Sequence, residues 1–206
     1  QGVSSAASDV YKRQIYDNGK IIQKPIVSSA GLLRIFIEVL SNAYDNFQRS
    51  RDAGMDCTKI KINIDKKTGE ISVLNNGLYI PIEYFRDADG NEEKYKHSVI
   101  FGELLTSTNF DDDEERFSSG RNGVGVKLTN VYSKYFKVRA ADPEKKKLFS
   151  QIWRDNMHTE SKPKIKDYDG KSGYTEISWI ADLKRFGFDE YTDDIIAQFV
   201  KYIYDI

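Results

Sequence analysis

The segment GRNGVGVKLTN, residues 120–130, places three glycines and a lysine within eight positions. Gly120, Gly123 and Gly125 would let the backbone come close to an anion, and Lys127 adds a positive charge. A helix is predicted directly after the glycines, and its first N–H groups would have no partner within the helix. The pattern therefore suggests a loop that holds phosphate. A tight turn before a helix explains the glycines equally well.

The common phosphate loops do not match this segment. A P-loop needs a lysine directly after its second glycine, where the chain has Val126. A dinucleotide-binding turn and a kinase glycine-rich loop both need a third glycine where Leu128 stands. The loop therefore belongs to another class of phosphate loop, or to none.

A polar stripe on a predicted helix offers the chemistry that such a loop would need. The apolar residues of 31–50 recur at helical spacing, and Glu38, Asn42 and Asn46 follow one another at intervals of four. They drift only about 80° around the helix, so they share one face. A solvated face is the ordinary explanation, but asparagine is a poor residue there and no lysine follows at i+4. Amide oxygens suit Mg²⁺ with phosphate and water, and Glu38 could take a proton from water.

The composition narrows the class of protein. The 206 residues suffice for one sizeable domain, and 31 Lys and Arg against 32 Asp and Glu do not indicate a nucleic-acid binder. Cys57 is the only cysteine, which excludes an internal disulfide and is typical of an intracellular protein. His97 and His158 lack metal-ligand spacing, so we exclude a histidine–cysteine zinc site. No apolar run is long enough for a transmembrane helix.

The order of the predicted elements favours the α+β class. Residues 59–65 alternate apolar and polar side chains, and ISVLNNG follows after a KKTGE turn, which predicts a hairpin. The strand–helix alternation of a parallel, doubly wound sheet is missing. A second helix is predicted over residues 98–109, further strands in YFKVRAAD, KLFSQIWRD and YTEISWI, and a closing helix in DDIIAQFVKYIYDI.

The first fourteen residues, QGVSSAASDVYKRQ, are set apart from the domain. They have no apolar periodicity and no signal-peptide core. They also resemble the translated adapter sequence found at the ends of reading frames from environmental assemblies. We therefore expect residues 1–14 to be a non-native or disordered leader and residues 15–206 to form the domain. An ordinary flexible terminus is the alternative.

Three motifs carry a family resemblance. EVLSNAYDN resembles the first motif of the Bergerat-fold (GHKL) ATPases, ISVLNNGLYIP the second, and GRNGVGVKL the lid motif. The stretch IFGELLTSTNFDDDEERFSSGRNGVGVKLTNVYS, followed by QIWRDNM, is similar to the ATPase domain of eukaryotic-type (type IIA) DNA topoisomerase II. The resemblance runs over residues 15–206. It implies a two-layer sandwich of a mixed, largely antiparallel sheet with helices on one face.

The resemblance also implies roles for individual residues. Glu38 matches the general base, and Asn42 the Mg²⁺ ligand that also contacts phosphate. Asn46 would line the nucleotide pocket, and Asn75 would contact adenine. The remaining ATP contacts would come from Ser107, Thr108, Asn109, Gly120, Arg121, Asn122, Gly123, Val124, Gly125, Val126 and Lys127.

One position departs from the family pattern. The family has G-x-G-I-P where this chain reads Gly77-Leu78-Tyr79-Ile80-Pro81, so Tyr79 replaces a glycine. If that position requires a positive φ, tyrosine costs about 1–3 kcal/mol of strain. We therefore expect a different local path or a modified adenine pocket. The acidic run at 111–115 is interpreted as a solvated loop rather than a metal site.

The function implied by the resemblance is ATP binding and hydrolysis, with ATP and Mg²⁺ as cofactors, in a module that drives DNA strand passage. Double-stranded DNA and a second identical subunit would be partners of the full-length enzyme, which would be nuclear, viral or cytoplasmic. Nothing in the chain resembles the cleavage domain, so this module would not cut DNA alone. A non-hydrolysing nucleotide switch and another GHKL ATPase, of the mismatch-repair or chaperone type, are the alternatives.

Overall fold

A computed structural model describes residues 8–86, 92–103 and 125–206 of the chain. Within these ranges the α+β class is confirmed, with one large antiparallel sheet, two small hairpins and helices. The strands are β1 (Asp9–Asp17), β2 (Lys20–Ser28), β3 (Ile60–Asp65), β4 (Glu70–Asn76), β5 (Tyr84–Arg86), β6 (Glu92–Tyr95), β7 (Ser133–Asp142), β8 (Lys147–Arg154), β9 (Thr159–Glu160), β10 (Lys164–Asp167) and β11 (Tyr174–Ala181). The helices are α1 (Ala30–Asp52), α2 (Lys96–Gly102), α3 (Gly125–Val131), a 3₁₀ turn (Leu183–Phe186) and α4 (Asp193–Asp205).

The large sheet has the strand order β10-β8-β7-β11-β4-β3, and β9 pairs with β8. Every one of these pairs is antiparallel. The predicted hairpin is confirmed as β3–β4, and the three further strands predicted from the sequence are confirmed as β7, β8 and β11. Short strands such as β9 and β10 were not predicted, because two to four residues are too few to show an alternating pattern.

The core lies between one face of this sheet and the helices. Phe36 of α1 is 6.4 Å from Trp179 of β11, measured between ring centroids, and it stacks on Phe199 of α4 at 4.2 Å. Ile71 and Val73 of β4 are buried in the same cluster. This arrangement agrees with the predicted sandwich, in which helices cover one face.

Helix α1 carries the polar stripe, and its ends follow from local chemistry. Ser29 caps the first turn, since its Oγ accepts a hydrogen bond from the Leu32 N–H at 3.3 Å. Arg49 and Arg51 lie in the last turn, where positive charge favours the helix C-terminus. The polar stripe is therefore on a long helix that packs on the sheet and is stabilised at both ends.

The hairpin β1–β2 was not predicted. Its turn residues Asn18 and Gly19 both have positive φ, 47° and 85°, which is the conformation of a tight hairpin turn. Ile15 and Ile26 are buried, and Tyr16 stacks on Tyr204 of α4 with centroids 4.7 Å apart. Strand β1 begins at Asp9, inside the segment that the sequence analysis set apart. The expectation that residues 1–14 are non-native stays a prediction, and residues 1–7 lie outside the described part of the chain.

The second predicted helix begins two residues earlier than expected and is described as far as Gly102. The rest of that prediction, residues 104–109, lies outside the described ranges. Across those ranges no helix is both long and apolar enough to span a membrane.

Candidate functional site

Glu38 of α1 and Gly125, the first residue of α3, are in direct contact. A Cβ added to Gly125 would lie 1.7 Å from Oε2 of Glu38 and 2.6 Å from its Cδ. The carboxylate therefore packs against the Gly125 α-carbon, at a distance that only a glycine allows. This contact joins the two features that the sequence analysis singled out, the polar stripe and the end of the glycine-rich segment.

The other oxygen of Glu38 faces an arginine. The Arg34 guanidinium forms an ion pair with Oε1 one turn earlier on α1. This partner was not expected from the sequence, because it precedes Glu38 by four positions and is an arginine rather than a lysine after the stripe. The Arg34 side chain is 68% exposed and that of Glu38 is 16% exposed, so the pair adds only about 0.3–0.5 kcal/mol to stability. Its larger effect is to orient the carboxylate.

Asn42 lies one turn after Glu38 on the same face of α1. Its side chain is partly buried. Among the described residues, its amide makes no hydrogen bond.

Asn46 has a different part in the site. Its Nδ2 donates to the carbonyl oxygens of Leu78, at 3.1 Å, and of Asn76, at 3.5 Å. Ser50 completes this link, because its Oγ donates to the Asn46 carbonyl oxygen at 2.7 Å and accepts from the Leu78 N–H at 2.9 Å. Asn46 and Ser50 thus fix the chain that leaves β4 against α1.

The two asparagines at the end of β4 point in different directions. Asn75 shares the helix-facing side of the strand with Ile71 and Val73, and it is nearly buried. The Asn76 side chain instead accepts from the backbone N–H groups of Thr58, at 3.1 Å, and Lys59, at 2.8 Å. Asn75 therefore faces the candidate site, whereas Asn76 holds the chain that enters β3.

The strain expected at Tyr79 does not arise. The left-handed conformation occurs at Gly77, with φ of 107°, and Tyr79 is not among the residues with positive φ. A Cβ at Gly77 would also lie 2.4 Å from the Ser50 Oγ, so both space and conformation require glycine there. The Tyr79 ring packs on Gly173, where a Cβ would lie 2.1 Å from its Cδ1. Burial raises the pKa of Tyr79 to about 12, and the negative charge of Glu144 acts in the same direction.

Helix α3 contributes a partly buried cation. Burial lowers the pKa of the Lys127 amine, and the negative charge of Glu103 acts in the opposite direction. The Val126 side chain is buried in the core, so this residue could reach a ligand only through its backbone. Eight predicted contact residues lie outside the described ranges: Ser107, Thr108, Asn109, Gly120, Arg121, Asn122, Gly123 and Val124.

Comparison with known proteins shows what this chain is similar to. No family model matches the chain. The DNA topoisomerase 2 of Invertebrate iridescent virus 6 is 42% identical over 193 residues, covering 91% of this chain and 17% of the viral protein. The ATPase region of Saccharomyces cerevisiae topoisomerase II superimposes with a TM-score of 0.83 and is 37% identical, covering 97% of this chain and 51% of the yeast chain.

The chain is similar to the ATPase region of DNA topoisomerase II over nearly its whole length. The ATPase and transducer domains of Balamuthia mandrillaris topoisomerase II superimpose similarly, with a TM-score of 0.82 and 35% identity, over 95% of this chain and 50% of that chain. Drosophila melanogaster DNA topoisomerase 2 is 41% identical over 194 residues, which cover 93% of this chain and 13% of the Drosophila protein. The chain thus spans about half of the solved topoisomerase II ATPase regions and a smaller share of the curated relatives.

Four residues that hold the elements of the candidate site were not singled out from the sequence: Arg34, Ser50, Thr129 and Asn130. The first two could have been found, because Arg34 precedes Glu38 by four positions and Ser50 follows Asn46 by four. Thr129 and Asn130 are fully buried polar residues of α3. No local pattern marks them, since their partners lie on other helices.

Proposed function

We propose that the chain is the ATP-binding and ATP-hydrolysing module of a type II DNA topoisomerase. The observation that carries the proposal is the contact between Glu38 and Gly125, which brings a candidate base to the end of a candidate phosphate loop. The similarity to topoisomerase II ATPase regions, over nearly the whole chain, supports the same assignment.

In this proposal Glu38 is the general base. Its carboxylate accepts a proton from the attacking water while the water oxygen bonds to the γ-phosphorus. The bond between that phosphorus and the bridging oxygen breaks, giving ADP and inorganic phosphate. Arg34 holds one carboxylate oxygen, and Gly125 limits the space around the other. The carboxylate is thereby oriented before the substrate arrives.

Asn42 is proposed to be the protein ligand of Mg²⁺. The fit rests on its partly buried amide, which has no hydrogen-bond partner among the described residues. Mg²⁺ takes one or two protein oxygens and completes its shell with phosphate and water, so a single amide is sufficient. The bound ion would neutralise part of the triphosphate charge.

The nucleotide would lie between α1, the end of β4 and α3. Asn75 faces this region and is the proposed adenine contact, and Asn46 shapes the wall by fixing the Gly77–Leu78 backbone. Lys127 is the proposed counter-charge, and Gly125 and Val126 would contribute through their backbones. The proposed contacts at residues 107–109 and 120–124 fall outside the described ranges and remain expectations.

The role of the whole protein is proposed from its relatives. These are named DNA topoisomerases, so we propose double-stranded DNA and a second copy of the chain as partners of the full-length protein, within the cell. A nucleotide switch that binds ATP without hydrolysing it is the alternative.

The deciding experiment combines binding and phosphate release. Mg·ATP is titrated into the chain by calorimetry, and single-turnover phosphate release is followed with protein in excess over nucleotide. The proposal expects saturable binding and release of one phosphate per bound ATP. Binding without release would favour the switch, and no binding would contradict both functions.

A further inference from the structure

One buried hydroxyl fastens α3 to α1. Thr129 is 0% exposed, and its Oγ1 donates to the backbone carbonyl oxygen of Ile35 at 2.8 Å. Ile35 precedes Glu38 by three residues, about one helical turn. The hydrogen bond between Thr129 and Ile35 therefore lies one helical turn from the candidate base.

Two contacts follow one another along the interface between these helices. Thr129 is four residues after Gly125, so both lie on the same face of α3, about 6 Å apart along its axis. Ile35 and Glu38 are similarly stacked on α1. Because Thr129 meets Ile35 and Gly125 meets Glu38, the two contacts together fix both the position and the rotation of α3 on α1.

The direction of the Thr129 hydrogen bond is informative. A helical threonine commonly bonds a carbonyl of its own preceding turn, which needs no partner helix. Thr129 instead donates across to α1, and its hydroxyl would be costly to bury without that partner. Valine would fill almost the same volume, so the site uses threonine for its donor.

A third contact attaches α3 to α2. The Asn130 Nδ2 donates to the Phe101 carbonyl oxygen at 3.0 Å. Thr129 and Asn130 therefore attach α3 to two different helices, and of these two bonds the Thr129 bond leads to the helix that carries Glu38.

We propose that Thr129 is a positioning residue for ATP hydrolysis. It acts through α3, by holding Gly125 in register with the Glu38 carboxylate. The inference rests on the proposed function of this site. Misplacement of reacting groups by about 1 Å can cost on the order of 10²-fold in rate, so loss of one fastening point is expected to be visible in turnover.

The test uses Thr129→Val, Thr129→Ser and, as a matched control, Ser133→Ala. Ser133 is also buried, and its Oγ donates to the Thr129 carbonyl oxygen at 2.5 Å without reaching α1. We expect Thr129→Val to lower single-turnover phosphate release on the order of 10-fold, with a much smaller change in the Kd for Mg·ATP. Thr129→Ser keeps the donor and is expected to restore most of the rate, and Ser133→Ala is expected to keep the wild-type rate.

A second readout does not depend on hydrolysis. Amide hydrogen exchange of α3 should accelerate in Thr129→Val and remain near wild type in Thr129→Ser. If the wild-type chain releases phosphate and Thr129→Val releases it at the same rate, the inference is overturned and the proposed function stands. Equal losses in Thr129→Val and Ser133→Ala would also overturn it, since they would indicate a general packing effect. Absence of phosphate release from the wild-type chain would instead contradict the proposed function, and the inference with it.

Discussion

The Glu38 carboxylate occupies the space in which any residue other than glycine at position 125 would place its Cβ. The overlap is severe, because the added carbon would lie 1.7 Å from Oε2. The two residues are far apart in sequence and belong to different helices. Gly125, at the end of the glycine-rich segment, and Glu38, in the polar stripe, therefore lie in one site.

Gly125→Ala is expected to lower both stability and turnover. Alanine at an ordinary helical position stabilises a helix by about 1 kcal/mol relative to glycine. The overlap with Glu38 should reverse that sign, because the carboxylate or α3 must move. Urea unfolding and single-turnover phosphate release would measure the two effects.

A double-mutant cycle provides the control for this prediction. Glu38→Ala removes the group that the new methyl would meet, so Gly125→Ala should be much less destabilising in that background. An equal stability loss in both backgrounds would show that Glu38 is not the cause.

Glu38→Gln is expected to keep Mg·ATP binding and to lose on the order of 10²–10⁴-fold in hydrolysis. Glutamine preserves the shape of the side chain but cannot accept the proton from water. The lost ion pair with Arg34 should contribute little to stability, because the arginine is mostly exposed. Asp52→Asn, at an exposed carboxylate at the end of α1, is the matched control. Turnover at the wild-type rate in Glu38→Gln would exclude Glu38 as the base.

Asn42→Ala is expected to weaken Mg·ATP binding far more than adenosine binding. Adenosine has no phosphate and needs no metal, so it does not depend on the proposed Mg²⁺ ligand. Calorimetric titration with each ligand measures the difference. Equal losses for both ligands would mean that Asn42 shapes the pocket and does not hold the ion.

Several parts of this site could be predicted from the sequence. The helical periodicity of α1 and the spacing of Glu38, Asn42 and Asn46 are local properties, and local patterns are visible in one segment at a time. The contact between Glu38 and Gly125 and the bond from Thr129 to Ile35 depend on how helices pack, so no single segment contains them. The β1–β2 hairpin was missed for another reason, since part of β1 had been set apart and the Asn18–Gly19 turn signal beside it was not used.

The stability of the chain is expected to fall below about pH 6.5 because of His97. This side chain is fully buried and stacks on Phe149 at 4.6 Å, and neither ring nitrogen has a hydrogen-bond partner within the described part of the chain. Burial lowers the pKa of His97 to about 3, and the charge of Asp142 opposes this only in part. In the unfolded chain the histidine has an ordinary pKa near 6.5. Below that pH the unfolded chain therefore binds a proton that the folded chain does not bind. The free energy of unfolding should then decrease by on the order of 1 kcal/mol for each pH unit below that value.

Urea unfolding at pH 7.5 and pH 5 would measure this effect. His97→Gln removes the titrating group and should lose less stability between these two pH values than the wild type does. His158→Gln, which replaces an exposed histidine, is the matched control. An identical pH dependence in His97→Gln and the wild type would show that His97 is not the cause.

Tyr79→Gly, which restores the glycine of the family pattern, is expected to destabilise the chain. If tyrosine were strained at this position, glycine would relieve the strain and raise stability. Tyr79 instead has an ordinary φ, and its ring covers Gly173. Glycine would remove that packing and add backbone freedom to the unfolded state, at a cost of about 0.5–1 kcal/mol for the backbone alone. Tyr79→Phe removes only the hydroxyl, so the packing of the ring on Gly173 remains. In urea unfolding, Tyr79→Phe should therefore have a free energy of unfolding close to that of the wild type, and Tyr79→Gly a clearly lower one. A Tyr79→Gly variant more stable than the wild type would show that the backbone at this position is strained.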